Sequence, residues 1–121
     1  MLPRLALALA CLAPALSARA SEIELVWSPA PSGGEGDLRI ERREPEGTWV
    51  EVGRLPLSAT RFVDANLSRA ATWCYRVRLA RASQPAITHA DETCVGPAAD
   101  PAAPAGRRTR VRGGWLQEVE P

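Results

Sequence analysis

Between Ser21 and Val95 the chain alternates apolar and polar residues with a period of two rather than 3.6. Ile23, Leu25 and Trp27 are spaced by Glu24 and Val26, which predicts a strand with one buried face. Pro29 to Gly34 breaks the chain, and Leu38 and Ile40 then alternate with Asp37, Arg39 and Glu41 in a second strand. Glu44-Pro45-Glu46-Gly47 is a turn, followed by a third strand over Thr48–Val52 that holds Trp49. A loop containing Pro56 leads to a short strand over Thr60–Val63. The plainest alternation sets Trp73, Tyr75, Val77 and Leu79 against Cys74, Arg76 and Arg78, and a last strand covers Asp91–Val95. Short strands spaced by turn signals predict an all-β antiparallel sandwich.

The two ends read differently. Met1 to Arg4 carries a positive charge, Leu5 to Leu16 is uncharged, and Ala18-Arg19-Ala20 is a small-x-small site. Those are the three parts of a secretory signal peptide over residues 1–20, and the apolar stretch falls short of the roughly 20 residues a membrane-spanning helix needs. The expected location is therefore secreted or periplasmic, with no membrane span. From Gly96 onward the text is Gly, Pro, Ala and Asp, which has nothing bulky to bury, followed by a cluster of arginines. Residues 21–95 are thus expected to fold and residues 96–121 to form a flexible tail. Cys11 follows Ala8-Leu9-Ala10, a loose likeness to a bacterial lipoprotein box. A cut there would leave an unusually short signal, so Cys11 is read as a small hydrophobe. A small envelope lipoprotein acylated at Cys11, with the domain as a structural spacer, is the alternative.

Composition narrows the chemistry. The chain is 121 residues long, room for one domain, with 15 basic against 14 acidic residues. That balance argues against nucleic acid as a partner, which selects a basic excess. Of the three cysteines only Cys74 and Cys94 lie beyond the signal, and in an oxidising compartment two cysteines in a small domain most simply pair. Two free thiols are the alternative. The single His89, near the last hairpin loop, reads as a surface residue without a partner. One His and two paired cysteines offer neither a triad nor a zinc site, so no cofactor, metal or catalysis is expected. Asn66-Leu67-Ser68 matches a glycosylation sequon, which matters only in a eukaryotic secretory pathway.

Several segments resemble the fibronectin type III family. Leu25-Val26-Trp27-Ser28-Pro29, Leu38-Arg39-Ile40-Glu41-Arg42-Arg43 and Thr48-Trp49 look like its strands B, C and C′. Thr60 to Leu67 is similar to strand E and the E–F corner, Trp73-Cys74-Tyr75-Arg76-Val77-Arg78 to strand F, and Asp91 to Val95 to strand G. The resemblance implies an immunoglobulin-like sandwich of six to seven strands, serving as a binding or spacer module for a protein or glycan. The family's corner tyrosine, six residues after the leucine, is replaced by Trp73, whose indole N–H can also donate to backbone.

Three expectations follow from this layout. With the buried series at Trp73, Tyr75 and Val77, Cys74 points outward, and pairing it opposite Cys94 in an F–G hairpin centres the turn on Gln84 beside Pro85. The same register turns Asp91 inward opposite Val77, which calls for a bulge or a late start to strand G. Second, the outward residues of strands C and F include Arg39, Glu41, Arg43, Arg76 and Arg78, which become neighbours if those strands pair. They read first as a cross-strand ladder that keeps the face soluble, and otherwise as an arginine-rich binding face for an acidic glycan or protein. Third, the family's strand A has no counterpart, because cleavage after Ala20 leaves only Ser21 and Glu22 before strand B. The C-terminal segment is read as a solvated tail with an exposed Trp115. The competing expectation is that Thr109–Val119 folds back across a linker of Gly96–Arg110, which extends to about 50 Å, and covers that edge.

Overall fold

The alternation of Ile23 and Leu25 with glutamates is realised in β1 (Ala20–Val26), where both apolar side chains are fully buried and Glu22 is exposed. The computed structural model describes residues 20–31, 34–82, 84–97 and 106–117, and among them it shows strands and no helix. Residues 1–19 of the expected signal segment 1–20, Cys11 among them, lie outside the described residues, while its last residue, Ala20, begins β1. Among the described residues no helix is long and apolar enough to cross a membrane.

Two sheets face each other. In the smaller, β1 lies between β4 (Arg61–Ser68), antiparallel to it, and β8 (Gly106–Arg110), parallel to it. In the larger, β2 (Asp37–Arg43) pairs antiparallel with β3 (Val50–Pro56) on one side and β5 (Trp73–Arg81) on the other. Beyond β5 come β6 (Gln84–His89) and then β9 (Trp115–Gln117), while β7 (Thr93–Val95) pairs with the other end of β5. The core lies between the sheets: Ile23, Leu25 and Leu67 from one, Leu38, Ile40, Tyr75, Val77 and Leu79 from the other. Trp27 closes one end, buried with its indole N–H donating to the Ala59 carbonyl at 3.0 Å.

Burial matches the period-two reading at Leu38 and Ile40 of β2 and from Tyr75 to Leu79 of β5, because side chains of consecutive residues must leave opposite faces of a pleated strand. The strand edges moved instead: β3 starts at Val50, leaving Trp49 outside it, and runs to Pro56, and β4 runs to Ser68. The last expected strand starts at Thr93 rather than Asp91, and β6 adds a strand over Gln84–His89 that the alternation did not show. The Trp73 indole N–H donates to the Ser68 carbonyl at 3.3 Å, the bond to backbone that the sequence allowed.

Three expectations are corrected. Cys74 opposes Cys94 as expected, at a Cα separation of 4.0 Å and at disulfide-bonding distance, but not through one hairpin centred on Gln84. Gln84 opens β6 opposite Arg81, Arg78 pairs with Thr88, and a separate strand, β7, brings Cys94 to Cys74. Cys74 does lie on the outward face, opposite Arg43, yet it is fully buried there, since β7 and its own bridge cover it. His89 is not a loop residue on the surface: it ends β6 with 2 % of its surface exposed, because β9 pairs beside it. Residues 106–117, expected within a flexible tail, instead carry β8 and β9 and bury Val111 in the core. The edge of β1 is the physical reason. Its N–H and C=O groups have β4 on one side only, and a parallel strand of the same chain supplies partners on the other. Asp91, by contrast, behaves as expected: strand pairing lapses between His89 and Thr93, and Asp91 is exposed there.

Candidate functional site

The outward face of the larger sheet brings together all four arginines singled out from the sequence. Arg39 stands opposite Arg78, Glu41 opposite Arg76, and Arg43 opposite Cys74. The period of two puts them on one face, and the antiparallel pairing of β2 with β5 puts them in adjacent rows.

Each of these guanidinium groups meets a carboxylate. Arg76 Nε donates to Glu41 Oε1 at 2.6 Å, and Arg78 Nη1 lies 3.8 Å from the same oxygen. Arg39 contacts Asp37 at 2.6 Å and Glu51 at 3.6 Å, while Arg54 from β3 binds Glu51 at 2.6 Å. Arg43 reaches across to the loop after β6 and holds both oxygens of Glu92 at 2.7 and 2.8 Å. Trp49, just before β3, lies under two of the cations, 4.8 Å from Arg43 and 4.5 Å from Arg76. Five arginines thus face four carboxylates, leaving a single net positive charge. Pairs this solvated stabilise by about 0.2–1 kcal/mol each and weaken in salt.

A second polar group, which the sequence reading did not single out, lies inside one end of the sandwich. Asp64 of β4 is 7 % exposed and accepts from Arg42 Nη1 at 3.0 and 2.8 Å and from the Tyr75 hydroxyl at 2.7 Å. The Arg42 guanidinium also lies 4.9 Å from the centre of the Trp73 ring. Burial, and then the bond to Asp64, push the Tyr75 phenol well above its ordinary value, so it remains a donor. This bonding joins the two sheets through β2, β4 and β5. The sequence signal was available: Arg42 follows Leu38 and Ile40 at the inward register, where a charge demands a partner. Beside it, a groove of about 660 Å³ opens along the β2–β3 turn, lined by Arg42, Arg43, Thr48, Val50 and Trp73.

The third group surrounds His89. Its ring lies 4.6 Å from that of Trp115, and Nδ1 is 3.1 Å from the Arg112 carbonyl. Burial lowers the imidazole's affinity for a proton, against smaller opposite effects of the Arg112 carbonyl and Asp91. Cys74, Cys94 and Glu92 cluster closely enough to suggest metal ligands, but the two thiols are within bonding distance of each other and are spent on that bond. No protein-family model matches the chain, and no curated protein matches it.

Proposed function

We propose that the chain is a non-enzymatic secreted or periplasmic module of fibronectin type III type that serves as a binding or spacer domain. The observation that carries this reading is the pairing order: β4–β1 in one sheet and β3–β2–β5–β6 in the other resembles the family's E–B and C′–C–F–G arrangement. β6 and β7 together then correspond to a broken strand G. β8 takes the place of strand A, though it runs parallel to β1. The Cys74–Cys94 pair supports an oxidising compartment. The neutralised arginine ladder supports a face built for solubility first, with acidic glycan or protein as the ligand class if it binds.

Intact-mass measurement of the mature protein tests the reading. A mass matching residues 21–121 less two hydrogens supports both secretion and the bridge. Added acyl mass on an N-terminal Cys11 establishes the lipoprotein alternative instead, and an uncleaved chain refutes both. The face is tested by replacing Arg76 and Arg78 with Ser and measuring binding to an anionic polysaccharide at two salt concentrations. Unchanged binding removes the face as a ligand site.

A further inference from the structure

The chain after β8 crosses from one sheet to the other as a strap. The Val111 N–H donates to the Val26 carbonyl at 2.8 Å and the valine side chain enters the core. Gly113, at φ 98°, turns the strap so closely over Ala90 that a Cβ there would sit 2.5 Å from the alanine methyl. The Ala90 N–H donates to the Gly114 carbonyl at 2.7 Å, β9 pairs with β6, and the Trp115 indole N–H reaches the Ser28 carbonyl at 3.3 Å.

His89 lies beneath this strap, and it is the only histidine of the chain. With Nδ1 at a carbonyl, the neutral ring carries its proton there and leaves Nε2 bare. Nε2 is buried without a hydrogen-bond partner among the described residues. That arrangement suits an apolar surrounding only while Nε2 has no proton. A second proton places an N–H, and a full positive charge, where no acceptor waits.

We propose that His89 is an acid-sensitive latch, and that protonation of its ring releases residues 111–117 from β6. The surrounding charges do not prevent this. On the strap, Arg110 and Arg112 carry the same sign as the imidazolium. On β5, Arg76 and Arg78 are turned to Glu41 on the outward face. From the β1–β2 connection the ring's neighbourhood receives Ser28, which is uncharged. The Arg112 carbonyl, which the neutral ring already meets at Nδ1, and Asp91 favour the cation against burial, and Asp91 is exposed to solvent, which weakens its effect.

The sign follows from linkage. The released ring binds a proton at about pH 6.5 and the docked ring only below that, so the released state holds more protons. Docking is complete above about pH 6.5 and weakens as the pH falls, by up to about tenfold per pH unit until the docked ring itself titrates. Release leaves β6 an open edge and uncovers the site of Val111.

Hydrogen exchange on the full chain with its cysteines bridged tests the latch at about pH 7.5 and about pH 5, with rates corrected for intrinsic pH dependence. The amides of Ala90 and Val111 are expected to lose at least about tenfold in protection at the lower pH, while those pairing β2 with β5 keep theirs. Equal protection at both values overturns the proposal, as does a strap already unprotected at the higher pH. His89→Phe keeps an aromatic ring against Trp115 and removes the titration, so its strap protection is expected to be independent of pH. A pH dependence that persists in this variant overturns the latch. Should His89→Phe fail to fold, an NMR titration of the wild-type imidazole decides: a midpoint below the solvent value supports the proposal, and one at or above it overturns it.

Discussion

Replacing Asp64 with Ala is expected to be among the most damaging single changes this chain can suffer away from its apolar core. The carboxylate is 7 % exposed and receives two distances of 3.0 and 2.8 Å from Arg42 and one of 2.7 Å from the Tyr75 hydroxyl. Ala leaves a phenol with no exposed surface and a largely covered guanidinium without their acceptor. Breaking a buried ion pair from one side costs about 3–5 kcal/mol, because the uncompensated charge stays behind. Arg42 retains about a quarter of its side-chain exposure, so water replaces part of the loss and about 3 kcal/mol is the better figure. At a urea dependence of about 1.5 kcal/mol/M this lowers the unfolding midpoint by about 2 M. Tyr75→Phe removes one hydroxyl and leaves Arg42 with Asp64, so it is expected to cost only about 1 kcal/mol. Urea titration of the bridged protein followed by far-UV circular dichroism measures both. A loss below about 1 kcal/mol for Asp64→Ala, or equal losses for the two variants, refutes the claim that the carboxylate joins the sheets.

Three further outcomes follow from the packing. Val111→Ala removes two buried methyl groups and is expected to cost about 1.5–2 kcal/mol by the same titration, whereas a solvated tail would lose nothing. Gly53→Ala brings a Cβ to 2.5 Å from the Phe62 ring and is expected to cost about 1–3 kcal/mol, read as a lower thermal midpoint. Converting Cys74 and Cys94 together to Ser, or reducing the bridge, frees a loop with a sequence separation of 20 and is expected to lower stability by about 3 kcal/mol.

Much of this was legible because it is local. Alternation along 37–43 and 73–81 specified which faces of β2 and β5 are buried, since the pleat ties side-chain direction to residue number. The same rule placed Arg39, Arg43, Arg76 and Arg78 on one face, and the two cysteines left beyond the signal pointed to each other as partners. The signal-like N-terminus and the scarcity of histidine and cysteine likewise needed no structure to be read.

Tertiary structure decided what depends on neighbours distant in the chain. Gly106–Arg110 has no strand periodicity of its own to announce it; it becomes β8 because the edge of β1 has backbone groups to satisfy. His89 is buried because β9, some 26 residues later, lies against it, and Cys74 because β7 covers it. Arg42 and Asp64 are each an anomaly when read alone, a charge at an inward position, and become a matched pair only when β2 and β4 face each other. Backbone pattern is written residue by residue, whereas the covering of an edge or a buried charge is settled by whichever distant segment meets its hydrogen bonds and excludes its water.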